Sequence, residues 1–155
     1  MIKIINPWQG EDIFHCIGCS TKNPIGLKLD FFDNGDEIVA YWNPNKDYEG
    51  YINVVHGGIQ STLQDEIASW VIYTKGETAG VTTELNVKFQ KTVYADGGEL
   101  KITGKLIKKD KKFMTIETKI FNKEHELCSS GEVVYRVFPA NVAKAKMHYP
   151  GVEAF

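Results

Sequence analysis

Residues 50–75 hold the side chains best placed to do chemistry. His56 is followed by Gly57 and Gly58, and Asp65 stands nine residues after the histidine. From there on, Ile59, Leu63, Ile67, Trp70 and Val71 recur at helical spacing, within an arc of about 120° at roughly 100° per residue. Asp65 lies outside that stripe, about 240° round from Ile59, among Gly58, Ser61, Thr62, Ala68 and Ser69. A carboxylate among small residues, close to a Gly-Gly helix start, leaves room for another molecule to approach. The same pattern also describes a solvated face carrying an ordinary surface aspartate. Glu66 projects instead toward the apolar stripe, where an unpaired charge is costly. It must be hydrogen-bonded at an edge or interface, or stay protonated.

A second group with chemical potential is Cys16-x-x-Cys19, with His15 beside it. This pair could hold zinc, but a closed structural site takes four ligands, usually from two separated pairs. The distant candidates His125, Cys128 and His148 form no matching pair, so the cysteines read as buried thiols and no metal is expected. A thioredoxin-like redox role needs a βαβ context that the pattern does not offer.

These residues need elements to position them. Asn6-Pro7 reads as a cap and first turn, predicting a short helix over about residues 7–15. Leu27, Leu29 and Phe31 alternate with Lys28 and Asp30 as a half-buried strand, Asp33-Asn34-Gly35 turns the chain, and Ile38–Trp42 returns. After the long helix, residues 81–94 form the clearest strand. Strict alternation puts Val81, Leu85, Val87 and Phe89 on one face and Thr82, Glu84, Asn86, Lys88 and Gln90 on the other. Three further strands follow, centred on Leu100–Leu106, Met114–Ile120 and Leu127–Phe138, joined by tight turns and therefore antiparallel. Pro139 ends the last, leaving a tail over residues 139–155 with a short helix at Ala140–Met147. The expectation is a single α+β domain over residues 1–155, with six antiparallel strands curled round one central helix.

Bulk properties exclude several classes. The 155 residues are 43% hydrophobic and 25% charged with a net charge of −2, so no global field attracts nucleic acid or an acidic membrane. The basic run Lys108–Lys112 reads as a hairpin turn. No apolar stretch approaches the roughly 20 residues that span a bilayer, the first residues lack a signal-peptide core, and three cysteines, an odd number, suit a reducing cytoplasm.

On these residues the chain resembles the hot-dog-fold acyl-CoA thioesterases of the PaaI (phenylacetyl-CoA thioesterase-like) branch. The likeness rests on the strand order, on His56-Gly57-Gly58 with Asp65, on the segment HCIGCSTKNPIGLKLDF with its Cys-x-x-Cys and Asn-Pro-x-Gly-Leu, and on GVTTELNVKFQKTV after the helix. It covers roughly residues 14–138. It implies hydrolysis of an acyl-CoA thioester without a cofactor. Asp65 would be general base or nucleophile, acting from the partner subunit's side of a shared site. A backbone N–H of the helix start, Gly58 foremost, would hold the oxyanion, with Gly57 leaving space for the thioester. His56 would touch the thioester oxygen or cap the helix. Thr82, on the polar strand face, would hold the water or the carboxylate. Gln64 and Asn53 are available to orient water, and Glu66 completes the substrate contacts. Some members carry Asn or Gln six or seven residues before the histidine; Gly50 and Glu49 stand there, so Asn53 substitutes. Lys88, Lys91, Lys108 and Lys109 could meet CoA phosphates. The resemblance further implies a homodimer with a continuous sheet, paired into a homotetramer. Two alternatives share the fold: an enoyl-CoA hydratase or dehydratase, and a non-catalytic acyl-CoA-binding module.

Overall fold

The computed structural model describes all 155 residues. The elements run β1 (Ile2–Lys3), β2 (Phe31–Asn34), β3 (Glu37–Trp42), α1 (Gly57–Thr74), β4 (Gly80–Phe89), β5 (Leu100–Lys109), β6 (Phe113–Phe121), β7 (Leu127–Val137) and α2 (Ala140–Lys146). All strands pair antiparallel in the order β1-β2-β3-β5-β6-β7-β4. The chain therefore leaves β3, runs through α1, and re-enters the sheet at the far edge as β4. This is the hot-dog arrangement, α+β, with the long helix lying in the curl of the sheet.

α1 is 18 residues long, about 27 Å. Leu63, Ile67, Trp70 and Val71 are buried as their spacing predicts, together with Gln60, Gln64, Ala68 and Ile72. Gly104 of β5 brings the sheet close, since a Cβ there would sit 3.0 Å from Val71 Cγ2 and 3.3 Å from Ile67 Cγ1. On the other flank Trp70 stacks on Phe31, with centroids 4.3 Å apart and planes 15° from parallel. The helix is thus covered on more than its apolar stripe, because residues 14–31 cross its second face.

That crossing segment differs from expectation. No helix forms over residues 7–15; the segment is a series of turns, with Gln9, Glu11 and Phe14 N–H groups each bonded three residues back. Gly10 takes a φ of +94°, which breaks the helical run. Asn6 does cap, but it caps a turn, its Oδ1 accepting from the Trp8 N–H at 3.1 Å. The strand begins at Phe31 rather than Leu27 because Leu27 and Leu29 donate to Ile17 O and Gly18 O, at 2.7 and 2.9 Å, instead of joining the sheet. The sheet also has seven strands, not six: Ile2 and Lys3 pair with Asp33 and Phe32.

Strict alternation fails in β4. The register slips between Thr82 and Glu84, so Thr82 opposes Tyr135 while Glu84 opposes Val134. A bulge places an extra residue on one strand and flips everything beyond it. Thr82 consequently faces the same side as Leu85, Val87 and Phe89, toward α1, and Val81 parts from them. β4 is also an edge, with Leu85 41% and Phe89 54% exposed.

Candidate active site

Two places on α1 carry unspent chemistry. The first is its N-terminus. His56 is the N-cap, its Nδ1 accepting from the Gly58 N–H at 2.8 Å. The Ile59 and Gln60 N–H groups both bond His56 O, at 3.0 and 3.1 Å. A helix start leaves four N–H groups without intrahelical acceptors; here three are satisfied and only that of Gly57 is free. Gly58, expected as the foremost oxyanion donor, has its N–H held by the histidine ring, and Gly57 holds the open one. Gly57 lines a cleft of about 320 Å³ with Val54, Val55, Gln60, Phe89 and Lys91 among its walls. A Cβ on Gly57 would stand 3.4 Å from the Phe89 ring.

Gln60 belongs to this cleft and was missed in the sequence although its position, about 100° round from Ile59, places it inside the apolar arc, where a polar residue stands out. It is 4% exposed. Its Nε2 donates to Val55 O at 3.2 Å, whereas its Oε1 is buried without a partner. An orphan buried acceptor in a cleft wall is a ready site for a donor on a bound molecule.

The second place is Asp65, two turns along. Its Oδ1 accepts from Thr82 Oγ1 at 2.7 Å. The Tyr135 hydroxyl lies 3.1 Å from both Asp65 Oδ1 and Asp65 O. Burial, reinforced by the Asp65 charge beside it, holds the Tyr135 phenol well above its ordinary pKa, so it stays a donor. Asp65 is partly exposed and makes no salt bridge. A carboxylate gripped on one oxygen, with the other left over, is oriented without being neutralised. Tyr135, like Gln60, was not marked as functional in the sequence; only the register of β7 against β4 shows where its hydroxyl goes.

The remaining expected residues sit elsewhere. Gln64 is fully buried, its Nε2 on Ser129 Oγ at 3.1 Å and its Oε1 accepting from Thr118 at 2.8 Å; it ties the helix to the sheet, and its polar atoms are taken. Asn53 has a φ of +57° and exchanges bonds with Asp96, at 2.9 and 3.2 Å, so it staples a loop to a turn. Glu66 faces Cys16 and Trp70, on the face of α1 that residues 14–31 cover. Burial, with Cys16 beside it, pushes the Glu66 carboxyl up to about 8; it keeps its proton at neutral pH, one of the two outcomes its position predicted. Lys91 is already paired with Glu126 Oε1 at 2.7 Å.

The comparisons with known proteins agree with this architecture. Residues 52–129, half of the chain, match the thioesterase superfamily, and the chain belongs to that family. An uncharacterized protein of Schizosaccharomyces pombe is 29% identical over 89 residues, 55% of this chain and 51% of its own length; the chain spans about half the length of that relative. Among solved structures, smu.793 from Streptococcus mutans UA159, bound to acetyl-CoA, superposes with a TM-score of 0.66 at 17% identity, over 72% of this chain and 90% of its own. A hypothetical thioesterase from Streptococcus pneumoniae TIGR4 with coenzyme A gives 0.67 at 20%, over 72% and 87%. A further thioesterase superfamily protein gives 0.74 at 23%, over 85% and 68%. No helix of the chain is long and apolar enough to cross a membrane.

Proposed function

We propose that the chain, as one hot-dog domain of the PaaI-like branch, hydrolyses acyl-CoA thioesters to the free acid and CoA. The observation that carries this reading is the pair of half-sites on α1: a helix tip with one free N–H over a cleft, and an oriented carboxylate gripped by Thr82 and Tyr135. The free Gly57 N–H, backed by the helix dipole, would hold the carbonyl oxygen as it becomes an oxyanion. Asp65 would act on water as general base, or attack the carbonyl itself to form an anhydride.

Gly57 and Asp65 stand eight residues apart, about 12 Å along one helix, too far to serve the same carbonyl. Two copies of the chain resolve this. Phe89, beside Gly57, and Thr82, beside Asp65, lie at opposite ends of the unpaired β4 edge. Antiparallel pairing of two β4 edges about a two-fold axis near Leu85 would bring the Thr82 end of one copy beside the Phe89 end of the other. Each cleft would then receive the other copy's Asp65. Exposed apolar side chains on a long edge strand support such pairing. A homodimer is the functional unit in this reading, and pairing of dimers would complete a tetramer.

The hydratase alternative asks for a histidine with an acidic partner near the reacting carbons. His56 instead spends Nδ1 on the Gly58 N–H, which supports its role as a cap. The deciding measurement is CoA release from a panel of short, long and aryl acyl-CoAs, followed with a thiol reagent. Binding of every member without release of thiol would overturn the proposal.

A further inference from the structure

Cys16, Cys19 and Glu66 are the most concentrated chemistry outside the helix tip and Asp65. Spacing alone gave the cysteines no third ligand; the fold supplies one from α1. The two Sγ atoms and a Glu66 carboxylate oxygen lie within 4.8 Å of one another. Cys16 Sγ is 3.5 and 3.4 Å from the two carboxylate oxygens. For tetrahedral zinc, with bonds of about 2.3 Å to sulfur and about 2.1 Å to oxygen, the sulfur–oxygen edge is about 3.6 Å. The Cys16–Glu66 edge is thus already at coordination spacing, and Cys19 Sγ lies within 4.8 Å of both partners.

What surrounds them points the same way. The Gly18 N–H donates to Cys16 Sγ at 3.2 Å, and the Ser20 N–H closes the turn on Cys16 O at 3.1 Å. Trp70 Nε1 holds Glu66 Oε1 at 3.2 Å. Outer donors of this kind orient metal ligands. Gly18 gives the carboxylate its room: a Cβ there would lie 2.3 Å from Glu66 Cδ and push the side chain aside. No cationic side chain pairs with Glu66, so once its proton leaves, the carboxylate has no counter-ion within the chain. Cys19 is buried and Cys16 only partly so, which leaves an entrance on the Cys16 side.

We propose that Cys16, Cys19 and Glu66 form a binding site for one borderline-soft divalent cation, of which zinc is the natural occupant. Binding forms two metal–thiolate bonds and one metal–carboxylate bond, releasing the ligands' protons to solvent, and leaves a fourth position for water. The ion would tie the N-terminal crossing segment to the central helix. This role is independent of the thioesterase reading, since none of its ligands borders the helix-tip cleft.

The test is titration of the reduced, metal-free full chain with Co²⁺, with metal content measured after gel filtration. The expected result is one equivalent bound per chain, with a thiolate-to-cobalt charge-transfer band that Zn²⁺ bleaches. The band should vanish in Cys16→Ser and Cys19→Ser and persist in Cys128→Ser. Glu66→Gln, which keeps the side-chain volume, should weaken binding by more than the roughly 10- to 100-fold that loss of an outer-shell partner costs. Circular dichroism on each variant separates loss of binding from loss of fold. Absence of the band in the folded wild-type chain, its survival in folded Cys16→Ser, or its dependence on Cys128 would overturn the proposal.

Discussion

Thr82 Oγ1 donates to Asp65 Oδ1 at 2.7 Å only because β4 carries a bulge between Thr82 and Glu84. Without that extra residue, Thr82 would turn to the far face of the sheet and the carboxylate would keep Tyr135 alone. The bulge is thus what links the edge strand to the central helix.

Asp65→Asn keeps the size of the side chain and can still accept from Thr82 and Tyr135, but cannot take a proton or attack a thioester. Turnover should fall by about 10²–10⁴. Thermal unfolding should move little, because Asp65 makes no salt bridge. CoA release and a melting curve on the same preparation check both halves; full activity would remove Asp65 from the mechanism.

Thr82→Val removes one donor from the carboxylate while preserving shape. A hydrogen bond to a charged group is worth about 1.5–3 kcal/mol, so kcat/KM should drop about 10- to 100-fold, with Thr82→Ser restoring most of it. A loss in both variants alike would show that the methyl group, not the hydroxyl, matters. Tyr135→Phe should act in the same direction, and the double variant should be less than additive because both donors serve one oxygen.

Gln60→Met separates function from folding at the helix tip. The substitution discards a buried, unpartnered Oε1, which favours stability, and also discards the Nε2 bond to Val55 O, which opposes it; each is of order 1 kcal/mol. Stability should therefore stay within about 1 kcal/mol of wild type while acyl-CoA turnover falls. Unchanged turnover would mark Gln60 as a packing residue.

His56→Ala removes the side-chain cap. Stability should decrease by about 1 kcal/mol, read by urea unfolding, while His56→Asn, a residue able to cap, should recover most of it. Recovery of stability without recovery of activity would assign His56 a contact to substrate beyond capping.

The shared site predicts complementation. Asp65→Asn and Gly57→Val damage opposite half-sites, so each alone is inactive. Refolded as an equal mixture, half of the dimers are mixed and each holds one intact site, giving about a quarter of wild-type activity. Leu85→Arg, at the centre of the proposed β4 contact, should shift the chain to monomer in sedimentation and abolish turnover. No recovery on mixing would overturn the two-chain site.

Much of this protein is legible in residue order alone. The periodicity of Ile59, Leu63, Ile67, Trp70 and Val71 identifies α1, since a helix must bury one stripe and its spacing is set by backbone geometry. Turn residues such as Asp33-Asn34-Gly35 and Asp96-Gly97-Gly98 delimit strands for equally local reasons. The same local logic singles out Gly57, Gly58 and Asp65 as unusual. What depended on tertiary structure was each side chain's partner. The bulge turns Thr82 to the helix, β7 registry delivers the Tyr135 hydroxyl, Gln64 is spent on Thr118 and Ser129, Asn53 is spent on Asp96, and Glu66 meets Cys16 across 50 residues of chain. Gly10, at a positive φ, undoes a helix that its neighbours allow. Such contacts join residues distant in sequence, and no pattern within one segment encodes the register at which another segment meets it.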